Sequence, residues 1–265
     1  ILRPGNSLNT VVGNPDLNAE KNVIYEIGLQ QALLEDISVN VSLYYRDIRN
    51  WLGMEIVNTY EGFKYARFIN RDYANVRGLV LVFDKRFSNY FSAKLDYTYQ
   101  IAEGNSSDPY AVYNKNQTNP PIEESKTVVP LSWDQRHTLN LSVNVGIPGD
   151  WTVGLIFQYG SGMPYTEDPK VSRGVRFENG GIRPTYLNLD LRADKIFNVF
   201  GLNIRTYITI YNALDIRNEF GVYSTTGRAN ADLNTQYAVD VIGLNTIEEY
   251  INNPAMYSTP REVRV

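Results

Sequence analysis

The sequence predicts an all-β chain folded as an antiparallel, up-and-down transmembrane β-barrel, and three observations carry that prediction. Apolar and polar residues alternate with period two over long runs, the links between runs are alternately very short and very long, and aromatic residues gather where runs end. From Ile37 to Tyr45 the odd positions read Ile37, Val39, Val41, Leu43 and Tyr45, against Ser38, Asn40, Ser42 and Tyr44. Phe91 to Ile101 and Leu139 to Ile147 alternate in the same way. Each run is a strand with one apolar face and one wet face.

The short links are Leu34-Glu35-Asp36, Ser88-Asn89-Tyr90, Pro148-Gly149-Asp150 and Asn198 to Gly201. The long ones are polar excursions over Asp47 to Ala74, Glu103 to Trp133, Thr166 to Arg183 and Asp215 to Pro260. Strict alternation puts all tight turns at one end of the sheet. A soluble sandwich has no reason to sort its loops by length, because both its ends meet the same water. A bacterial outer-membrane barrel does, with short periplasmic turns, long extracellular loops and strands of roughly 10 residues.

Taken in order, Ile1 to Lys21 is rich in Pro, Gly and Asn and reads as loop. The first strand covers about Asn22 to Ala32, the second Ile37 to about Arg46, and the third about Val76 to Phe87. The fourth to sixth cover about Phe91 to Ala102, Arg136 to Ile147 and Trp151 to Tyr165. The seventh, about Thr185 to Phe197, sets Leu187, Leu189 and Leu191 against Asn188, Asp190 and Arg192, and the eighth runs from Leu202 to about Tyr211. A ninth begins near Arg261, and Ile247 to Asn252 has the pattern of a short helix. Val39, Val41, Leu43, Leu139, Leu141, Val143 and Leu189 are expected to face lipid. Glu26, Lys94, Asp96, Asp190, Arg192, Asp194 and Arg205 are expected to line the interior.

The aromatics form two expected girdles. Phe87, Tyr90, Phe91, Trp151, Phe197 and Phe200 lie by the short turns, and Tyr44, Tyr45, Trp51, Tyr99, Trp133, Tyr159 and Tyr165 by the long loops. The chain has 20 tyrosines, an enrichment suited to rings that keep a hydroxyl in water beside lipid. It has no cysteine, which excludes disulfides, thiol nucleophiles and Cys-ligated metals. A net charge of −4 offers no basic surface for nucleic acid.

Several short stretches carry a family resemblance. They are Asn14-Pro15-Asp16-Leu17 with Glu20 and Tyr25-Glu26-Ile27-Gly28-Leu29; Tyr44-Tyr45-Arg46-Asp47-Ile48; Asn75-Val76-Arg77-Gly78-Leu79; Trp133 to Asn140; Tyr211-Asn212-Ala213-Leu214; and Pro260 to Val265. In this order they resemble the C-terminal barrel half of TonB-dependent outer-membrane receptors. The resemblance implies that residues 1–265 are the C-terminal part of a roughly 22-stranded plugged barrel, with about eight to nine strands here. The plug domain and coupling segment are then absent from this chain. It also implies receptor and transport function: TonB-energised uptake of a scarce nutrient such as a siderophore, cobalamin, oligosaccharide or peptide. The expected partners are outer-membrane lipid, the upstream plug, the inner-membrane TonB complex and the nutrient. The competing reading is a complete small barrel of eight strands with a structural or adhesion role, although an inward set rich in Ser, Asn, Thr and Gly would leave its interior poorly filled.

No catalytic, cofactor or metal site is expected. His137 is the single histidine, and a Ser-His-Asp arrangement with Ser132 and Asp134 is disfavoured because residues an odd number apart on a strand diverge. A place at the rim in a hydrogen-bond network suits it better. Asp108, Glu123, Glu124, Glu167 and Asp168 lack the spacing of a dedicated calcium loop. Arg67, Arg71, Tyr73 and Trp133, at or above the rim, are the candidate ligand contacts, because rims and loops carry recognition on such scaffolds.

Overall fold

A computed structural model describes residues 10–106, 108–117, 127–168 and 178–232, and the backbone of 263–264. In chain order its elements are β1 (Val11–Val12), β2 (Lys21–Ala32), β3 (Ile37–Asn58), β4 (Lys64–Ser88), β5 (Phe91–Gly104), α1 (Ala111–Asn116), β6 (Val129–Pro130) and β7 (His137–Ile147). There follow β8 (Trp151–Gly160), β9 (Pro164–Tyr165), β10 (Gly181–Ile182), β11 (Tyr186–Val199), β12 (Leu202–Ile210), β13 (Asn218–Glu219) and β14 (Val263–Arg264). The main sheet is one meander in the order β12-β11-β8-β7-β5-β4-β3-β2, with β1 beside β4 and β6 beside β5. The expected single meander with its tight turns at one end is present.

The chain divides into two compact units, one of residues 27–43, 78–100 and 135–265, the other of 1–26, 44–77 and 101–134. The first of these holds the tight turns. Asn89 and Tyr90 both have positive φ (48° and 71°), as do Phe200 and Gly201 (50° and 78°). Two successive positive φ values are what two-residue hairpins of right-handed twist require. Register then sorts the faces. Leu95 pairs with Leu141, Leu141 with Phe157, and Phe157 with Leu189, giving an unbroken apolar row. One residue along, Asp96, Asn140, Gln158 and Asn188 form a polar row. A one-residue slip in any pair would mix the rows, so the pattern itself specifies the register. Phe87, Tyr90, Phe91, Trp151, Phe197 and Phe200 are all exposed, Phe200 fully, as a turn-side girdle should be.

In the other unit β3 and β4 extend as a long hairpin closed by the turn Thr59–Phe63, where Thr59 N–H donates to Phe63 O at 2.8 Å. This corrects the expectation of a polar excursion over Asp47 to Ala74. The charges Asp47 and Arg49 read as loop, but alternate residues of this stretch pack instead. Ile48, Ala74, Val76, Ala102 and Leu131 form one buried cluster, and Met54, Ala66 and Val112 of α1 another. Tyr44 and Trp51 pack on the first cluster and so leave the expected loop-side girdle. The N-terminal segment is tied across the hairpin. Asn14 Nδ2 donates to Phe68 O at 3.0 Å, and Asn70 Nδ2 donates to both Asn18 O and Asn50 O.

Three further boundaries differ. β8 ends at Gly160, and Pro164–Tyr165 pairs instead with Gly181–Ile182 as a separate short ladder. The excursion from Glu103 contains α1 and β6. The expected ninth strand is seen only as backbone of Val263–Arg264, which pairs with β13 and not with the main sheet. The expected helix over Ile247 to Asn252 lies outside the described residues. Among the described residues no helix is long and apolar enough to cross a membrane.

Candidate functional site

Of the four expected ligand contacts, Arg67, Arg71 and Tyr73 sit at odd positions of β4, while the even positions Ala66, Asp72, Ala74 and Val76 are buried. The three side chains therefore share the face opposite the core. Arg67 is half-spent already, its Nη2 meeting Glu55 Oε1 at 2.5 Å. Arg71 Nη1 donates to Met54 O at 3.0 Å, which anchors the guanidinium to β3. Tyr73 leaves its ring exposed while its N–H donates to Asn105 Oδ1. Trp133 is exposed in the turn that follows β6. Beside it Asp134 is buried and accepts Ala102 N–H at 2.8 Å, so this carboxylate shapes the turn.

His137 is held by rings and not by an acid. Its Nδ1 lies 2.8 Å from the Tyr97 hydroxyl, and its ring stacks near Tyr97 and tilts against Tyr99. Ser161, which sequence reasoning did not single out, also bonds this residue, but through the backbone: Ser161 Oγ accepts the N–H of His137 at 3.0 Å. The hydroxyl that faces the imidazole is that of Tyr97, and Ser161 is engaged with the backbone. Glu123 and Glu124 lie outside the described residues. Asp108 is turned inward on its own loop, accepting Tyr110 N–H. Among the described residues no cluster of acidic and histidine side chains could hold a metal ion.

Of the expected interior charges, Asp190, Arg192, Asp194 and Arg205 meet in the unit that holds the tight turns, whereas Glu26 belongs to the other unit. Asp194 is buried, accepts from the Arg205 guanidinium and the Thr152 hydroxyl, and Arg192 lies over the Tyr207 ring at 5.1 Å. Thr152, Arg192, Asp194 and Arg205 line a cavity of about 350 Å3 with Asp190 and Tyr211. Sequence reasoning missed a second cavity, of about 380 Å3, between the base of the β8–β11 connection and β13. Arg183, Tyr186, Glu219 and Phe220 line it. Its residues come from four separated stretches, around 135, 161–163, 183–186 and 218–220, and no spacing along the chain signals their meeting.

A family model described as TonB dependent receptor-like, beta-barrel matches residues 3–213. The outer membrane transporter YddB from Escherichia coli superposes with a TM-score of 0.55 at 15% identity, over 81% of this chain and 31% of that one. The FrpB iron transporter from Neisseria meningitidis (F3-3 variant) superposes with a TM-score of 0.51 at 14% identity, over 78% of this chain and 29% of that one. This chain thus spans under a third of the length of either transporter. A comparison with curated proteins finds no match. The faces sorted by register, the open meander and the match over most of its length agree, and the chain belongs to the TonB-dependent receptor β-barrel family.

Proposed function

We propose that this chain is the C-terminal part of the barrel wall of an outer-membrane receptor that takes up a scarce nutrient with energy from TonB. The tight turns face the periplasm and the long connections face the outside. A plug contributed by other parts of the receptor fills the interior, and the inner-membrane TonB complex pulls on it. The observation that carries this reading is the family match joined to the two sorted rows, an apolar one suited to lipid and a polar one suited to hydrogen bonding with a plug. The eight-stranded alternative needs β2 and β12 to pair, and they are the two ends of the meander.

Arg67, Arg71, Tyr73 and Trp133 are the proposed nutrient contacts at the rim. The exposed rings of Tyr73 and Trp133 offer stacking area at low entropic cost. Arg71, already anchored, holds the surface in shape. The test is growth of a strain lacking the full-length receptor on limiting iron, cobalamin, oligosaccharide or peptide. A deficit for one nutrient, reversed by the receptor only when TonB is present, is expected. Equal growth on all of them would sink the proposal. The double change Tyr73→Ala with Trp133→Ala should weaken nutrient binding about 10-fold or more while leaving the barrel folded.

A further inference from the structure

The cavity beside β13 holds a cation without a counter-charge. Arg183 Nη1 donates to Phe220 O at 3.0 Å, its Nε is buried with no partner, and no carboxylate pairs with it among the described residues. The acid nearest in the lining, Glu219, is committed elsewhere. Its Oε1 accepts from Arg228 Nε at 2.9 Å and Nη2 at 2.6 Å, and its Oε2 accepts Ala229 N–H. Other polar groups of the lining are spent too. Asn218 bonds both backbone groups of Leu187, Gln135 Nε2 donates to Ser161 O, and the Tyr186 hydroxyl donates to Gln158. What remains open to a ligand is a guanidinium set among Met163, Pro184 and the rings of Tyr186 and Phe220, whose centroids are 5.8 Å apart.

The base of Arg183 is fixed as well. Its N–H donates to Met163 O at 3.0 Å, and its carbonyl oxygen lies so near Gly162 that a Cβ there would stand 1.7 Å away. A buried N–H left unpaired is unfavourable; with Nη1 given to Phe220 O and Nε enclosed by protein atoms, Nη2 is the group left to meet a carboxylate in a charge-assisted hydrogen bond. One cation calls for one anionic group, and the apolar remainder calls for a ring or short aliphatic body. The volume suits a small molecule.

We propose that this cavity binds a small organic carboxylate, with Arg183 as its anchor and Tyr186, Phe220 and Met163 enclosing its apolar part. The site shares no residue with the set Arg67, Arg71, Tyr73 and Trp133, and it stands whether or not the receptor transports what it binds.

Benzoate and its neutral counterpart benzamide are the probes, titrated against the full-length receptor in detergent and followed by saturation-transfer NMR. Benzoate should bind with a Kd of about 1 mM or lower, as expected of a ligand this small. Benzamide should bind at least about 10-fold more weakly, and Arg183→Gln should reduce benzoate binding by a similar factor. Folding of each variant is read from its heat-dependent migration on a gel. If Arg183→Gln does not fold, Met163→Trp, which fills the cavity and leaves the guanidinium, carries the test and should abolish binding. Equal binding of the two probes, no binding of benzoate at about 10 mM, or full binding by either folded variant would overturn the proposal. Loss of nutrient uptake with benzoate binding intact would count against the transport reading alone.

Discussion

Lys85 Nζ donates to Asp36 Oδ2 at 2.9 Å, joining the β2–β3 turn to the end of β4. The same device recurs at the next pair of turns, where Lys195 of β11 meets Asp150 of the β7–β8 turn. The backbone repeats it: Arg86 N–H donates to Asp36 O at 2.8 Å, and Ile196 N–H donates to Asp150 O at 2.7 Å. In both places an Asp closes a tight turn and a Lys stands just before the next one. Lys85 is buried, and the Ser88 hydroxyl and three carbonyl oxygens also lie within hydrogen-bonding reach of its Nζ, whose three N–H groups are shared among these acceptors. A buried ammonium needs such a full set of acceptors.

This staple should make turn-end stability depend on acid. The Asp36 carboxyl is held below its ordinary value by the Ser88 hydroxyl and then by the Lys85 ammonium. A carboxyl with a depressed folded pKa contributes stability above its unfolded pKa, about 3.9, and loses it as pH falls through the folded value. Asp36→Asn should therefore lower the melting temperature of the full-length receptor at pH 7, and the gap to wild type should shrink at about pH 3. An identical gap at both pH values would refute the assignment.

Lipid exposure is checked by a pair of substitutions one residue apart. Leu141 lies in the middle of the apolar row and Asn140 in the polar row. Leu141→Arg should destabilise the barrel in lipid by about 2 to 4 kcal/mol, whereas Asn140→Arg should cost far less. Equal losses in equilibrium refolding into vesicles would show the faces to be misassigned.

Gly162 is a place where the backbone admits no side chain, since a Cβ would stand 1.7 Å from Arg183 O. Gly162→Ala should push the two segments apart, destabilising the receptor by about 1 to 3 kcal/mol, read as a lower melting temperature. An unchanged melt would mean that this close approach does not exist.

Among the described residues, β2 and β12 at the ends of the meander each pair on one side only. In a bilayer each unsatisfied backbone group costs several kcal/mol, so these 265 residues refolded alone should aggregate or join edge to edge. A monomeric, protease-resistant product, seen by light scattering after refolding into vesicles, would return the eight-stranded barrel to favour.

The strands of the meander, their faces and the four short links follow from residues such as Val39 to Leu43 and Leu139 to Val143, because period-two alternation beside lipid leaves one register without apolar residues facing water. Lys94, Asp96, Asp194 and Arg205 were assigned to one face by the same rule, and the ion pairs Lys94–Asp96 and Arg205–Asp194 lie on it. Only the tertiary structure decided where β3 and β4 end. Where charged residues interrupt the alternation the sequence does not distinguish a strand from a loop, and Met54, Ala66 and Trp51 declare themselves as packed only once Val112 of α1, Leu131 and Val11 meet them. The Arg183 cavity belongs to the same class. Its residues lie on connections whose conformation is set by contacts between distant stretches, such as Arg183 with Phe220 and Leu187 with Asn218, and such long-range contacts leave no periodic mark on the chain.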